Sequence, residues 1–270
     1  MLLLVNAHDW LGKLIMKEKS TEDFIHINTP EVLLNLALAV DENGEYIVYE
    51  KQKVYFDNID SVYIGCQVNN SGSNPNNVVE DDLHYIQSSW NSALSYLLLN
   101  IPTKLGVMDH TTWTGALWQL PNLYPLLKKY DVKCPDYSFN TNLKYLKVLG
   151  KDSYSINKLY VNDINDLYGS PQIMNIAHVG QFWVYTMILD KDIYSLKYLD
   201  NSWRRCDINQ KLKVKLLKFS QDVKINCCQF IMRYDYLTNN YFCYAMTRNI
   251  STYFHDHYKT KIQELLQGLL

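Results

Sequence analysis

No run of Lys and Arg dominates any segment of this 270-residue chain, and the formal balance of 26 Lys and Arg against 28 Asp and Glu leaves a net charge of −2. Nucleic-acid binding rests on neutralising phosphates with clustered cations, so that class of partner has no footprint here. No apolar run approaches membrane-spanning length, because Met1 to Val5 gives way at once to Asn6, His8 and Asp9. The same start is too short and too poorly flanked for a signal peptide, and the expectation is a cytoplasmic protein. Glycine is scattered: the ten glycines come no closer together than Gly65 and Gly72, and neither G-x-x-x-x-G-K nor G-x-G-x-x-G is present. A standard phosphate loop is therefore absent. The six cysteines (Cys66, Cys134, Cys206, Cys227, Cys228 and Cys243) contain no C-x-x-C pair, which points to reduced core thiols rather than a zinc or redox motif. No G-x-S-x-G supports a serine nucleophile.

What is present is an ordinary globular composition, 47% hydrophobic and 20% charged, with 22 tyrosines. Met1 to Asn6 and Ser61 to Gly65 read as strands, and the Asp41 to Gly44 turn leads into the β-forming run from Tyr46 to Glu50. Asn69 to Asn77 reads as an exposed loop. Leu83, Ile86, Trp90, Leu94, Leu97 and Leu98 recur at helical steps over Asp81 to Leu99, with Glu80, Asp81 and Asp82 at the favourable end of the dipole. Thr112 to Tyr130 is helical in pattern, but Pro121 and Pro125 predict a kink or two pieces. The interval from Lys144 to Ser170 is ambiguous. Beyond Pro171 come strands at Phe182 to Leu189, Ile193 to Leu199, Cys227 to Tyr234 and Tyr241 to Thr247. A helix from Ile208 carries Leu212, Leu216, Phe219 and Val223 on one face, and a last helix spans Tyr253 to Leu269. This order gives α/β followed by α+β lobes.

Three stretches carry a resemblance to the ATP-grasp family, in its peptide-maturing and glutathione-synthetase-like branch. The first runs from Tyr85 and Trp90 through Asn100-Ile101-Pro102 and Leu105 to Asp109, then on to Pro135 and Phe139. The second is Pro171-Gln172-Ile173 with Gly180 to Ser195, including the Asp190-Lys191 turn, and ends at Trp203-Arg204. The third is Cys228 to Asn249 with the helix after it. The resemblance implies an ATP-grasp-like α/β and α+β fold. Its N-terminal pre-ATP-grasp-like domain would span 1–138, and a reduced central and C-terminal domain with a shortened antiparallel lobe would span 139–270.

It also implies where magnesium would sit, and there the sequence departs from the family. The metal-binding Asp of the first closing strand reads Gln229. The Glu of the second reads Ala245 or Thr247, depending on register, and Asn249 is the one remnant of the metal set. Hard divalent cations want carboxylate oxygens, so a neutral amide is a poor substitute. Asp235 is close enough in sequence to replace them but reads as a surface acid. Lys144 and Lys158 are the candidate phosphate contacts in a polar stretch, with Lys147 and Lys151 beside them.

His8, Asp9 and Trp10 follow the first strand, where α/β folds often place ligand groups. Trp113 (with Trp118) reads as core or as a peptide-docking patch, and Trp203, Arg204 and Arg205 as a site for an anionic peptide or as surface pairing. His255 and His257 are splayed if that segment is helical and need a further partner such as His178 or Cys243 to hold a metal.

The expectation is a degenerate ATP-grasp protein, with no cofactor and with ligation lost. It would bind a peptide or a partner protein such as an active ATP-grasp ligase, as homo- or hetero-oligomer, without nucleic acid or membrane. The alternatives are an active carboxylate–amine ligase using ATP, Mg2+ and atypical ligands, and an unrelated α/β interaction module.

Overall fold

A computed structural model describes residues 1–5, 7, 9–20, 23–27, 37–49, 51–65, 101, 103–106, 119–139, 154–156 and 174–269. They form two compact units, residues 1–110 with 260–270, and residues 111–259. Among the described residues no helix is long and apolar enough to cross a membrane.

In the first unit, β1 (Leu2–Val5), β2 (Phe24–Ile27), β6 (Ser61–Ile64) and β7 (Thr103–Leu105) form a parallel sheet in the order β2-β1-β6-β7. Every residue of β1 is buried, which is why the run reads as continuously apolar instead of alternating. Helix α1 (Trp10–Glu18) crosses from β1 to β2. Gly12 on that helix is required, since a Cβ there would lie 2.4 Å from the Ala7 carbonyl oxygen. A separate antiparallel meander, β3 (Ala37–Asp41), β4 (Gly44–Tyr49) and β5 (Gln52–Tyr55), turns at Gly44, whose φ of 118° suits glycine.

The first described element of the second unit is α2 (Leu120–Lys129). Pro121 lies in its first turn, where no donor is needed, and Pro125 lies inside it. The expected helices at Asp81 to Leu99 and upstream of Gln119 lie outside the described residues. Three short strands, β8 (Tyr137–Phe139), β9 (Tyr154–Ile156) and β10 (Met174–Ile176), pair in the order β8-β10-β9. The main sheet is antiparallel, in the order β13-β12-β11-β14-β15. Its strands are β11 (Phe182–Leu189), β12 (Asp192–Leu199), β13 (Ser202–Cys206), β14 (Cys227–Asp235) and β15 (Asn240–Thr247). The β12–β13 turn holds Asp200 and Asn201 at φ of 49° and 59°, the paired positive values that suit the twist of a tight hairpin.

Helices cover both faces of this sheet. Helix α3 (Gln210–Asp222), capped by the Asn209 side chain, which accepts the Leu212 N–H at 2.8 Å, covers one face through Phe219, 5.9 Å from the Phe230 ring. The first turns of α4 (Tyr253–Leu269) cover the other, with Tyr253 against Trp203 and Tyr258 against Tyr194.

Candidate functional site

On the α4 side, Gln229 of β14 stands directly opposite Thr247 of β15, and Ile231 opposite Ala245. Residues two apart on a strand share a face, so the pairing register is needed to separate the two candidates. It selects Thr247 as the cross-strand neighbour of Gln229. Both side chains are buried, at 1% and 3% exposure. Both are also already used: the Ser251 N–H donates to Gln229 Oε1 at 2.7 Å, and the Asn249 N–H donates to Thr247 Oγ1 at 3.0 Å. The pair therefore shapes the turn that carries the chain from β15 into α4. Asn249, the proposed remnant, is exposed within that turn.

Magnesium asks for near-octahedral oxygen ligands at about 2.1 Å, usually with at least one carboxylate. One amide and one hydroxyl, each accepting a backbone N–H, bring no negative charge. These residues do not fit a resident Mg2+. Asp235 does not repair the set: it lies six residues along β14, about 20 Å away at strand rise. There it accepts from the Leu237 N–H at 3.1 Å and the Thr238 hydroxyl at 2.6 Å. The Thr238 hydroxyl is the main reason that its carboxyl lies below the ordinary range. His255 and His257 fall on a helix, where residues two apart point roughly 200° apart. Among the described residues no group of three or more His, Cys, Asp or Glu side chains could hold a metal ion.

The other candidates fall in different places. Asp9 is the N-cap of α1, accepting the Gly12 N–H at 2.7 Å and the Tyr63 hydroxyl at 2.8 Å. Trp10 opens that helix. Trp203 is buried, stacked on Tyr185 at 4.1 Å with Tyr198 and Tyr253 around it. Arg204 and Arg205 point to opposite faces of β13. Arg204 meets Asp200 at 3.4 Å, and the Arg205 guanidinium lies 4.9 Å from the Tyr258 ring. His8, Trp113, Lys144 and Lys158 lie outside the described residues. The five described cysteines are free. Burial pushes the Cys134 thiol up to about 12 and Cys206 to about 11, and raises Cys228 and Cys243 as well, so these four offer no thiolate at neutral pH.

Sequence reading missed one tightly built region. A bulge in the β14–β15 ladder leaves Tyr244 as the extra residue. Its hydroxyl accepts the Val179 N–H at 2.8 Å and donates toward the Ala177 carbonyl at 2.8 Å, while Tyr124 donates to the Tyr244 carbonyl at 2.8 Å. Arg233 reaches His178 Nε2 and, at 3.2 Å, the Gln181 carbonyl. Residues 177–181 are thus pinned where they enter β11.

No family model matches the sequence, and no curated protein matches it. Solved structures do. Macrocyclase MdnC of Microcystis aeruginosa MRC, bound with precursor peptide MdnA, superposes with a TM-score of 0.72 at 12% identity, covering 100% of this chain and 99% of its own. A RiPP-associated ATP-grasp ligase of Chryseobacterium gregarium, in complex with ADP and a leader and core peptide, gives 0.71 at 11% identity, with 99% and 96% covered. D-alanine–D-alanine ligase of Bacillus anthracis, complexed with ATP, gives 0.58 at 10% identity over 100% and 96%. Likeness at this identity and full coverage establishes architecture, and the architecture of this chain is the ATP-grasp fold.

Proposed function

We propose that this chain is a degenerate ATP-grasp protein that acts by binding a peptide or a partner protein, as an accessory subunit in peptide maturation, with ATP-dependent ligation lost. The observation that carries this reading is the Gln229–Thr247 pair: neutral, buried and committed to the turn before α4. A ligase of this fold needs charge at that place to hold the metal that neutralises a triphosphate. The peptide half of the reading is supported by the fold-mates crystallised with precursor peptides. An active ATP-grasp ligase is the partner class that such an accessory chain would serve.

Calorimetric titration of the purified chain with ATP and with ADP, each with and without magnesium, tests the reading. The expected result is no magnesium-dependent heat at millimolar nucleotide. A clear magnesium-dependent isotherm overturns it in favour of an active ligase with atypical ligands.

A further inference from the structure

The face of the main sheet opposite Gln229 carries a row of side chains contributed by all five strands. Lys197 of β12 stands directly opposite Arg204 of β13. Next to them, Phe182 of β11 pairs with Tyr234 of β14, which pairs with Tyr241 of β15. The Lys197 ammonium lies 4.1 Å from the Phe182 ring centroid and 5.3 Å from that of Tyr234, and the Tyr234 and Tyr241 centroids are 4.7 Å apart. Helix α3 covers this face over Phe230 and leaves the row beyond it half-exposed, with Tyr236 next to Phe182 more than half exposed.

Two features of the row call for a ligand of a particular charge. Like charges directly opposite on neighbouring strands are destabilising, yet Lys197 and Arg204 are so placed in a chain whose net charge is negative. Among the described residues no carboxylate pairs with Lys197, whose contacts are aromatic. Arg204 donates to the Ser202 hydroxyl at 3.3 Å and meets the solvent-exposed Asp200, a pair of the kind worth little. Aromatic rings beside two facing cations, one of them without a carboxylate among the described residues, suit a ligand with a carboxylate at one end and apolar surface at the other.

We infer that this row is the docking surface for an extended acidic peptide segment, its carboxylates meeting Lys197 and Arg204 and its apolar side chains lying over Phe182, Tyr234 and Tyr241. The inference rests on the peptide-binding reading above and gives it a location and a chemistry.

The test is fluorescence anisotropy with a fluorescein-labelled octapeptide in which Glu alternates with Phe and Leu, beside a control with Lys at each Glu position. The full chain and its Lys197→Glu and Gln229→Leu variants are titrated at low and at high salt. The expected result is saturable, salt-sensitive binding of the acidic peptide, at least tenfold weaker in Lys197→Glu, unchanged in Gln229→Leu, and absent for the Lys peptide. Equal binding of both peptides, no binding of either, or unchanged affinity in Lys197→Glu overturns the inference. Far-UV circular dichroism of Lys197→Glu separates loss of the surface from loss of the fold, and Tyr241→Ser provides a charge-neutral second variant expected to weaken the same binding. Failure here leaves the nucleotide calorimetry untouched, so this inference and the accessory-protein reading fall separately.

Discussion

The two faces of the five-stranded sheet are built by the same strands and do opposite things with their polar groups. On one, Gln229 and Thr247 are sealed from solvent and each accepts a backbone N–H. On the other, Lys197 and Arg204 face each other beside half-exposed aromatic rings. The first serves a local turn. The second retains the unbalanced charge that marks a surface meant to meet something. Reading function from this fold therefore means asking which face still has unmet electrostatic demand.

The comparison is broken most forcefully by emptying the aromatic packing behind the closed face. Tyr185 is fully buried and stacks on Trp203 at 4.1 Å. Tyr185→Ala is expected to cost about 3–5 kcal/mol, in the range of large aromatic deletions. Urea denaturation followed by tryptophan fluorescence measures it; a loss near 1 kcal/mol would mean that the Trp203 cluster is loosely held. Next in size is Gln229→Leu, which leaves the Ser251 N–H without its acceptor and is expected to cost about 1–3 kcal/mol. The same variant should leave nucleotide titrations as silent as the wild type. If its stability is unchanged while nucleotide behaviour shifts, Gln229 belongs to a working site rather than to a turn.

How much of this was legible in advance depended on the length scale of each signal. β11, β14, β15 and α4 are eight residues or longer, and their apolar runs and periodicity survive in the sequence. β8, β9 and β10 are three residues each, too short to show any period, and they exist through pairing alone. Helix α1 did leave a signal: Leu11, Leu14 and Ile15 recur at helical steps behind Asp9, but Asp9 was read as a ligand group rather than a cap. Gln229 was identified from its place in the strand. The choice between Ala245 and Thr247 was open because register is a property of two strands. The row from Arg204 to Tyr241 was invisible for the same reason, since the sheet order brings Phe182 beside Tyr234 and Lys197 beside Arg204. Trp203 and Arg204, adjacent in sequence and read together, lie on opposite faces, one in the core and one in the row.

The smallest expected effect is in the pH dependence, and it sharpens the contrast from the open side. Cys206 and Tyr241 lie on the face that carries the row. Burial holds the Cys206 thiol up at about 11 against its ordinary 9.0, and the Tyr241 phenol up at about 12 against 10.0, with Cys206 itself adding to the second shift. In both cases the unfolded chain releases its proton first, so rising pH favours unfolding. Below about pH 9 neither group distinguishes the two states, and stability should be flat across neutral pH. From pH 9 toward 12 it should fall, with only the onset visible at pH 9.5. Cys206→Ser removes one of the four raised thiols and should lessen that onset without changing stability at pH 7 by more than about 1 kcal/mol. Equilibrium denaturation at pH 7, 8.5 and 9.5 for both proteins measures this. An identical decline in the variant would assign the effect to Cys134, Cys228 and Cys243, whose thiols burial also raises, rather than to Cys206 on the open face.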